Sequence, residues 1–233
     1  MTAPTTGRKV PLALVGAGRI AQSYVDVIAA SSCVEVVAVA DVDEAAAARL
    51  ARRFGEARSF ASHGALLDAV EPAGVIIATP PATHGDLALE FLARGVHVLC
   101  EKPLAVDVKT AQAMIQAADQ AGVLLTMAAK FRFAEDVTRA RHILHSGILG
   151  DLMLFENAFT SRVDMSGRWN ADPRVAGGGV LIDNGTHSVD IARFFLGPIG
   201  EVMAVEGKRT QQLEVEDTVR VFLRSLDDVI GSI

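Results

Sequence analysis

Residues 15–21 read Val15-Gly16-Ala17-Gly18-Arg19-Ile20-Ala21 and directly follow a run of apolar residues. A β-strand that feeds a glycine-rich turn and then a helix can hold a dinucleotide pyrophosphate. In such a turn Gly16 permits the tight bend, Gly18 lets the backbone approach the phosphates, and the small Ala21 lets the helix lie close to the strand. The helix expected from Arg19 offers unpaired N–H groups and a positive dipole end to the anion. Short glycine patterns also recur in ordinary turns, so the surrounding sequence decides the interpretation.

A second apolar run, residues 34–40, ends at Asp41, about 20 residues beyond the glycines. An acidic side chain at this place accepts hydrogen bonds from ribose hydroxyls. Asp41 has a second interpretation, as the N-cap of a helix that begins at Val42, and the two roles are compatible. A carboxylate repels a 2′-phosphate, and no basic residue follows before Arg49, which favours NAD over NADP. Arg19 in the glycine turn keeps NADP possible.

The composition bounds the class of protein. The chain has 233 residues, of which 50% are hydrophobic, and a net charge of −6. This length suits one large domain or two smaller ones, and the negative charge gives no general attraction to nucleic acid or to an anionic membrane. No apolar run approaches the ~18 residues of a membrane span, and no signal peptide is recognised before the first strand. The two cysteines lack a metal-ligand spacing, so we predict no metal site, no disulfide framework and a cytoplasmic protein.

Strand-like and helix-like segments alternate as far as residue 128. This alternation, with continuous apolar strands, is typical of a doubly wound parallel sheet of the Rossmann type. Ligands of such sheets bind outside the carboxyl ends of the strands, where Gly16, Asp41, Thr79 and Glu101 are all expected. We therefore predict an α/β nucleotide-binding domain over residues 1–128.

The pattern changes in residues 129–233, where strands joined by turns indicate a largely antiparallel open sheet with a helix packed on it. We predict an α+β domain here. Its expected elements after a first helix are a long strand over 151–161, a helix over 181–196 and strands over 201–209, 217–224 and 229–233. The last strand leaves a sheet edge uncovered. Either another chain or copy covers this edge or the chain is a shortened version of a longer protein, and we favour the second interpretation.

Three further stretches carry polar residues at expected strand ends or near a helix start. They are Ala-Thr-Pro-Pro-Ala-Thr-His at 78–84, Glu-Lys-Pro at 101–103 and Gly-Gly-Gly-Val-Leu-Ile-Asp-Asn-Gly-Thr-His-Ser-Val-Asp at 177–190. With the glycine turn and Asp41, this ordered set resembles the glucose–fructose oxidoreductase, inositol dehydrogenase and rhizopine catabolism (Gfo/Idh/MocA) family, from Pro11 to about Val229.

The resemblance implies a nicotinamide-binding first domain and a second domain whose open sheet serves substrate binding and oligomerisation. It also implies oxidation or reduction of a hydroxyl on a sugar, polyol or nucleotide-sugar. Members usually carry a considerably longer second sheet, so the resemblance further implies that the sheet is incomplete in this chain.

Asp183 and His187 lie four residues apart near the start of the expected helix, so both project from one face. Removing a hydroxyl proton as the C–H electrons leave needs a base of near-neutral pKa, and histidine, at about 6.5, provides one. Asp183 then holds the imidazole and hydrogen-bonds the substrate, and the glycines at 177–179 leave room for the ligands. The alternatives are a helix cap for Asp183 and a structural or solvated His187. The Asp-x-x-x-His motif of the family coincides with this pair.

Lys102 follows the strand that ends at Cys100, which places it at the expected cofactor edge of the sheet. An ammonium there stabilises negative charge that develops on the reacting oxygen, although a Lys-Pro step is also an ordinary exit from a strand. In the family, the Glu-Lys-Pro lysine is an active-site residue, and the loop after the fourth strand lies against the cofactor. The predicted catalytic residues are Lys102, Asp183 and His187. The predicted cofactor-binding residues are Gly16, Gly18, Arg19, Ile20, Asp41, Thr79, Pro80, His84, Glu101 and Lys102.

Arg132 and Trp169 complete the predicted substrate-binding set, together with Asp183 and His187. Arg132 contacts a substrate oxygen or covers the sheet edge, and Trp169 binds sugar hydroxyls or lies on the surface. A further acid, Asp190, orients the imidazole or pairs with Arg193.

We predict an NAD(P)-dependent oxidoreductase that transfers a hydride between the cofactor and a secondary hydroxyl of a sugar, cyclic polyol or nucleotide-sugar. It is expected to form a homo-oligomer through its C-terminal sheet. The alternatives are a non-catalytic NAD(P)-binding sensor on the same scaffold and an NAD-dependent glycoside hydrolase.

Overall fold

The computed structural model describes residues 9–233, which divide after Ala128 into two compact units. The first unit is a three-layer α/β structure with six parallel strands in the order β3-β2-β1-β4-β5-β6. This is the doubly wound order, which confirms the predicted Rossmann-type sheet. Its elements are β1 (Val10–Val15), α1 (Arg19–Ala30), β2 (Val34–Ala40), α2 (Glu44–Ala51), β3 (Arg58–Phe60), α3 (His63–Ala69), β4 (Gly74–Ile77), α4 (His84–Ala93), β5 (His97–Cys100), α5 (Val108–Ala121) and β6 (Leu125–Met127).

The central strands β1, β2 and β4 of the first unit are largely buried on both faces, which is why they read as continuous apolar runs. Neighbouring residues of β1 face opposite layers. Ala13 lies in the cluster that contains Phe91, whereas Leu14 lies in the cluster that contains Val25 and Leu50. All five side chains are at most 3% exposed. This packing fixes the strand ends on which the glycine turn and Asp41 depend.

The second unit, residues 129–233, has a four-stranded sheet in the order β7-β10-β9-β8. The β7–β10 pair is parallel and the other two pairs are antiparallel, so the predicted largely antiparallel sheet is confirmed. One side of the sheet packs on α9 through Ala192, Leu196 and Leu223. The elements are α6 (Glu135–His145), β7 (Leu154–Glu156), α7 (Pro173–Ala176), α8 (Val180–Asp183), α9 (Gly185–Leu196), β8 (Ile199–Glu206), β9 (Val219–Ser225) and β10 (Ile230–Ser232).

The prediction of a long strand over 151–161 is wrong, because β7 has three residues. Its partner β10 is equally short, and the ladder between them runs only from Leu154↔Ile230 to Glu156↔Ser232. One further bond, from the Asn157 N–H to the Ser232 carbonyl at 3.0 Å, ends the pairing. Without a partner strand the apolar alternation beyond it does not form a ladder.

The helix predicted over 181–196 is interrupted at Asn184. The hydroxyl of Thr186 donates to the carbonyl of Ile182 at 2.6 Å, a local bond that competes with the helical pattern. The N–H of His187 bonds the Asn184 carbonyl three residues back, at 3.0 Å. Asp183 therefore ends one helix and His187 lies in the first turn of the next.

None of the helices between residues 9 and 233 combines the length and the apolar character needed to cross a bilayer.

Candidate functional site

The glycine turn of the first unit has the shape that a pyrophosphate needs. Gly16 adopts a φ of +98°, and a Cβ there would lie 2.7 Å from the carbonyl carbon of Ala78, so only glycine fits between β1 and the end of β4. At Gly18 a Cβ would meet no atom of the described chain within 4 Å. Gly18 is the N-cap of α1 and has no side chain to satisfy the first N–H groups. Open space before such groups fits a bound anion.

Asp41 is held beside this turn. One carboxylate oxygen accepts the N–H of Ala17 at 2.6 Å, and the other accepts the N–H of Asp43 at 2.8 Å. The cap of α2 is Asp43, whose side chain accepts the N–H of Ala46 at 3.0 Å. The interpretation of Asp41 as the helix cap is therefore wrong, and its negative charge lies at the glycine turn. Arg19 and Ile20, in the first turn of α1, are exposed.

The loops after β4 and β5 are tied together by His84. This side chain is completely buried, with Nδ1 2.8 Å from the Pro103 carbonyl and Nε2 2.9 Å from the Thr79 carbonyl. A carbonyl oxygen only accepts, so each of these bonds is donated by the ring nitrogen. The prediction that His84 contacts the cofactor is wrong, because its side chain is completely buried and both ring nitrogens bond to carbonyl groups of the chain itself. His84 instead positions the loop of Thr79 and Pro80 against the loop that contains Lys102.

Glu101 is fixed by α1, through a residue that the sequence analysis missed. One carboxylate oxygen accepts the hydroxyl of Tyr24 at 2.7 Å, and the other accepts the N–H of Lys102 at 3.2 Å. Burial and the bond to this carboxylate raise the pKa of Tyr24. Burial and the Glu101 charge also raise the pKa of the Cys100 thiol to about 12, so Cys100 is not a nucleophile at neutral pH. Tyr24 is the single tyrosine of the chain, yet no pattern in its neighbours indicated this bond.

In the second unit His187 lies in an aromatic pocket. Its ring centroid is 4.8 Å from that of Phe131 in an edge-to-face arrangement and 6.3 Å from that of Phe159. His187 is 8% exposed, so the interpretation as a solvated histidine is wrong. The carboxylate of Asp183, at the end of α8, accepts the side-chain amide of Asn170 at 3.3 Å. A base and an acid, four residues apart on consecutive helices, are thus each held by neighbouring side chains.

Arg132 is paired with Asp190. Its Nε donates to one carboxylate oxygen at 3.0 Å and its Nη2 donates to the other, a bidentate arrangement with Asp190 almost buried. The hydrogen bond to Asp190 raises the pKa of Arg132. Neither predicted role of Asp190, orienting the imidazole or pairing with Arg193, anticipated this partner. Arg132 lies 36% exposed, and its contact with substrate stays a prediction.

The segment that contains Trp169 is tied to the connection between β8 and β9. The side-chain amide of Gln211 accepts the N–H of Met165 at 3.0 Å and donates to the Val163 carbonyl at 3.1 Å. Trp169 itself is 50% exposed. Gln211 and Asn170 were not found from the sequence, since amide side chains in loops give no pattern of their own. Substrate contact by Trp169 stays a prediction.

Contacts and backbone conformation within the chain explain two of the glycines at 177–179. Gly177 ends α7 with a φ of +85°, in the left-handed region. At Gly179 a Cβ would lie 2.8 Å from the nitrogen and 2.9 Å from the carbonyl carbon of Glu216, and closer still to its carbonyl oxygen. The prediction that this run leaves room for the ligands is corrected at Gly179, because neighbouring backbone occupies that space.

The structure gathers the predicted residues in two places. The first unit brings the glycine turn, Asp41, Thr79 and Glu101 to the carboxyl ends of four adjacent strands, β2, β1, β4 and β5. The second unit brings Asp183 and His187 to consecutive helices, and Arg132 to the segment that packs on the second of them.

Comparison with known proteins agrees with this geometry. The model of an oxidoreductase family with an NAD-binding Rossmann fold (GFO_IDH_MocA) matches residues 10–129, and the model of a GFO/IDH/MocA C-terminal domain matches residues 137–233. The rhizopine catabolism protein MocA of Rhizobium meliloti is 36% identical over 191 residues, which cover 80% of this chain and 57% of that protein. The D-glucoside 3-dehydrogenase of Escherichia coli is 32% identical over 200 residues, covering 84% and 57%. The chain thus spans somewhat more than half the length of these two relatives.

Solved structures show the same fold. The WlbA dehydrogenase of Bordetella pertussis, in complex with NADH and UDP-GlcNAcA, is similar with a TM-score of 0.90 and 29% identity, over 99% of this chain and 67% of that one. A myo-inositol dehydrogenase of Corynebacterium glutamicum is similar with a TM-score of 0.81 and 27% identity, over 97% and 68%. On the match of both family models, the chain belongs to the GFO/IDH/MocA oxidoreductase family, and its first unit is the NAD-binding Rossmann fold of that family.

Proposed function

We propose that the protein is an NAD-dependent dehydrogenase that transfers a hydride between the cofactor and a secondary hydroxyl of a sugar, cyclic polyol or nucleotide-sugar. The observation that carries the proposal is the Asp183–His187 pair, on consecutive helices, with the imidazole packed against Phe131 and Phe159. The substrate class is supported by relatives named as D-glucoside 3-dehydrogenase, levoglucosan dehydrogenase and myo-inositol dehydrogenase.

The first unit fits a dinucleotide. The N–H groups at the start of α1 would receive the pyrophosphate, because Gly18 leaves the space before them open. The Asp41 carboxylate, fixed at the glycine turn, would accept the ribose hydroxyls and repel a 2′-phosphate, which favours NAD over NADP. Thr79, Pro80 and Glu101 would border the cofactor from the ends of β4 and β5. When bound, NAD supplies the acceptor for the hydride.

The remaining chemistry is assigned to three side chains. A ring nitrogen of His187 takes the proton of the substrate hydroxyl as the C–H bond breaks. Asp183 hydrogen-bonds the substrate and restricts the orientation of the imidazole. The ammonium of Lys102, in the loop after β5, would stabilise negative charge that develops during the reaction. The aromatic rings around His187 limit its rotation and its access to water.

A substrate screen tests the proposal. The chain is incubated with NAD or NADP and a panel of sugars, cyclic polyols and nucleotide-sugars, and NADH formation is followed by absorbance. We expect turnover with NAD, and we expect His187→Ala to lower it about 10²–10⁴-fold with unchanged NAD affinity. Full turnover by the variant would overturn the assignment of the base. NAD binding without NADH formation would favour a sensor, and release of an aglycone without net NADH would favour a glycoside hydrolase.

We also propose that the second unit associates with another copy through the open side of its sheet. On the side opposite α9, the apolar side chains of Met203, Phe222 and Ile230 are 59%, 45% and 54% exposed on three adjacent strands. On the same side these apolar side chains alternate with the ion pairs Arg224–Glu201 and Arg220–Glu156. A mixture of exposed apolar and charged side chains is compatible with a subunit contact. We expect the wild type to sediment as an oligomer and Phe222→Glu to dissociate it. A monomeric wild type would overturn this proposal.

A further inference from the structure

The start of α8 is anchored by one residue from a distant part of the second unit. Glu216 lies between β8 and β9, and its carboxylate accepts the N–H of Gly179 at 3.0 Å and that of Leu181 at 3.0 Å. Its own carbonyl oxygen accepts the intervening N–H, that of Val180, at 2.9 Å. Three consecutive N–H groups therefore bond to a single residue.

This contact stabilises the start of α8. The first N–H groups of a helix have no partner within it, and a negative charge near them is favourable. The approach is close enough that only glycine fits at 179, as described above. Gly179 and Glu216 therefore belong to one contact, in which the missing side chain of Gly179 leaves room for the backbone of Glu216.

The anchored helix carries the proposed acid and leads to the proposed base. Asp183 is the last residue of α8, and His187 follows in the first turn of α9. A helix of four residues does not hold its own position, because helices this short are not stable by themselves. The location of Asp183 therefore depends on what holds the start of α8.

We propose that Glu216 is a positioning residue for the Asp183–His187 pair. This role rests on the proposed dehydrogenase function. Both carboxylate oxygens of Glu216 are used by backbone N–H groups, so it acts through α8 and is not assigned a direct contact with substrate.

The test compares two matched substitutions. Glu216→Gln keeps the volume, removes the charge and turns an NH₂ group toward one of the two N–H groups. Glu214→Gln makes the same change at an exposed glutamate two residues earlier. We expect Glu216→Gln to lower kcat about 10- to 100-fold, as a displaced catalytic group does, with little change in the Kd of NAD. We expect Glu214→Gln to leave both values unchanged.

Amide hydrogen exchange supplies a readout that does not need activity. Exchange at residues 179–181 should be at least about tenfold faster in Glu216→Gln and unchanged in Glu214→Gln. If the wild type binds NAD but oxidises nothing, the proposed function fails, whereas exchange still decides whether the anchor exists. If Glu216→Gln does not fold, Glu216→Asp, which keeps the charge with one methylene less, is measured in its place.

Two results would overturn the positioning role. One is wild-type kcat together with wild-type exchange in the Glu216 variant. The other is a fall in kcat that comes with an equal loss of NAD affinity and of folding stability, which would make Glu216 a general structural residue.

Discussion

The hydroxyl of Tyr24 donates to the carboxylate of Glu101 at 2.7 Å, which joins α1 to the loop after β5. The two residues are 77 positions apart in the chain. Through this bond, the helix whose start faces the proposed pyrophosphate site also fixes the acid next to Lys102. This contact therefore links the start of α1 to the loop that contains Lys102.

Replacing Tyr24 should weaken the first unit in a pH-dependent way. The pKa of Tyr24 lies above its ordinary value of 10.0, so its neutral form stabilises the fold fully below pH 10.0 and progressively less above it. We expect Tyr24→Phe to lower the free energy of unfolding by about 1 kcal/mol at neutral pH, and we expect this difference to shrink above pH 10.0. Urea unfolding followed by circular dichroism on both sides of that pH measures it. A difference that does not change with pH would contradict the assignment.

Replacement of Gly16 and of Gly18 by alanine should affect different properties, the first the stability and the second the affinity for NAD. Gly16→Ala meets the backbone of Ala78 and a positive φ, so we expect a loss of about 2–5 kcal/mol in stability. At Gly18 the added methyl group meets no neighbour, so the stability should change by less than about 0.5 kcal/mol. The Kd of NAD should nevertheless rise about tenfold or more, because the methyl group occupies the space of the phosphates. Thermal unfolding and NAD titration of both variants separate the two effects, and normal NAD binding by Gly18→Ala would place the pyrophosphate elsewhere.

His84 should matter for NAD binding although it does not reach the surface. His84→Ala leaves the carbonyls of Thr79 and Pro103 without their partner, and we expect a loss of about 2–4 kcal/mol in stability together with weaker NAD binding. His63→Ala is the control, since its ring pairs with Glu90 at the surface, where ion pairs contribute little. Isothermal titration with NAD and urea unfolding give both quantities. If the two variants had equal NAD affinity and equal stability, His84 would not be a positioning residue.

The Arg132–Asp190 pair should be strongly coupled. Removal of Arg132 leaves the nearly buried carboxylate of Asp190 without its bidentate partner. Because the arginine is partly exposed, we expect about 1–2 kcal/mol for Arg132→Ala, and less than the sum of the single effects for the double variant with Asp190→Ala. A double-mutant cycle of unfolding free energies measures the coupling. Additive effects would mean that the pair contributes nothing to stability.

The same variants address the predicted substrate contact of Arg132. A direct contact predicts a higher KM for Arg132→Lys than for Asp190→Asn, since Lys keeps the charge but loses the planar donor set. Equal KM values would confine Arg132 to its role in the fold.

The first unit was predictable because its signals are local. The central strands are apolar runs, and the residues at their ends follow directly in sequence, so the order of motifs was enough to place Gly16, Asp41 and Glu101. The error over 151–161 came from reading alternation as a strand, although a strand extends only as far as its partner does. Contacts between distant residues were missed because they too depend on a partner that the local sequence does not identify. Nothing near Asp190 identifies Arg132, 58 positions away, and nothing near Gly179 identifies Glu216, 37 positions later.

The absence of room at Gly179 has a practical consequence for engineering. Exchange of the loop between β8 and β9 for one from a homologue should keep the start of α8 in place only when the donor loop brings a glutamate to the same position. Insertions are better accepted on the outward portion of that loop, near the exposed Gln212 and Glu214, than beside Glu216. Libraries that randomise residue 179 together with residue 216 should therefore recover only a few functional pairs, whereas independent variation at 212 and 214 should be well tolerated.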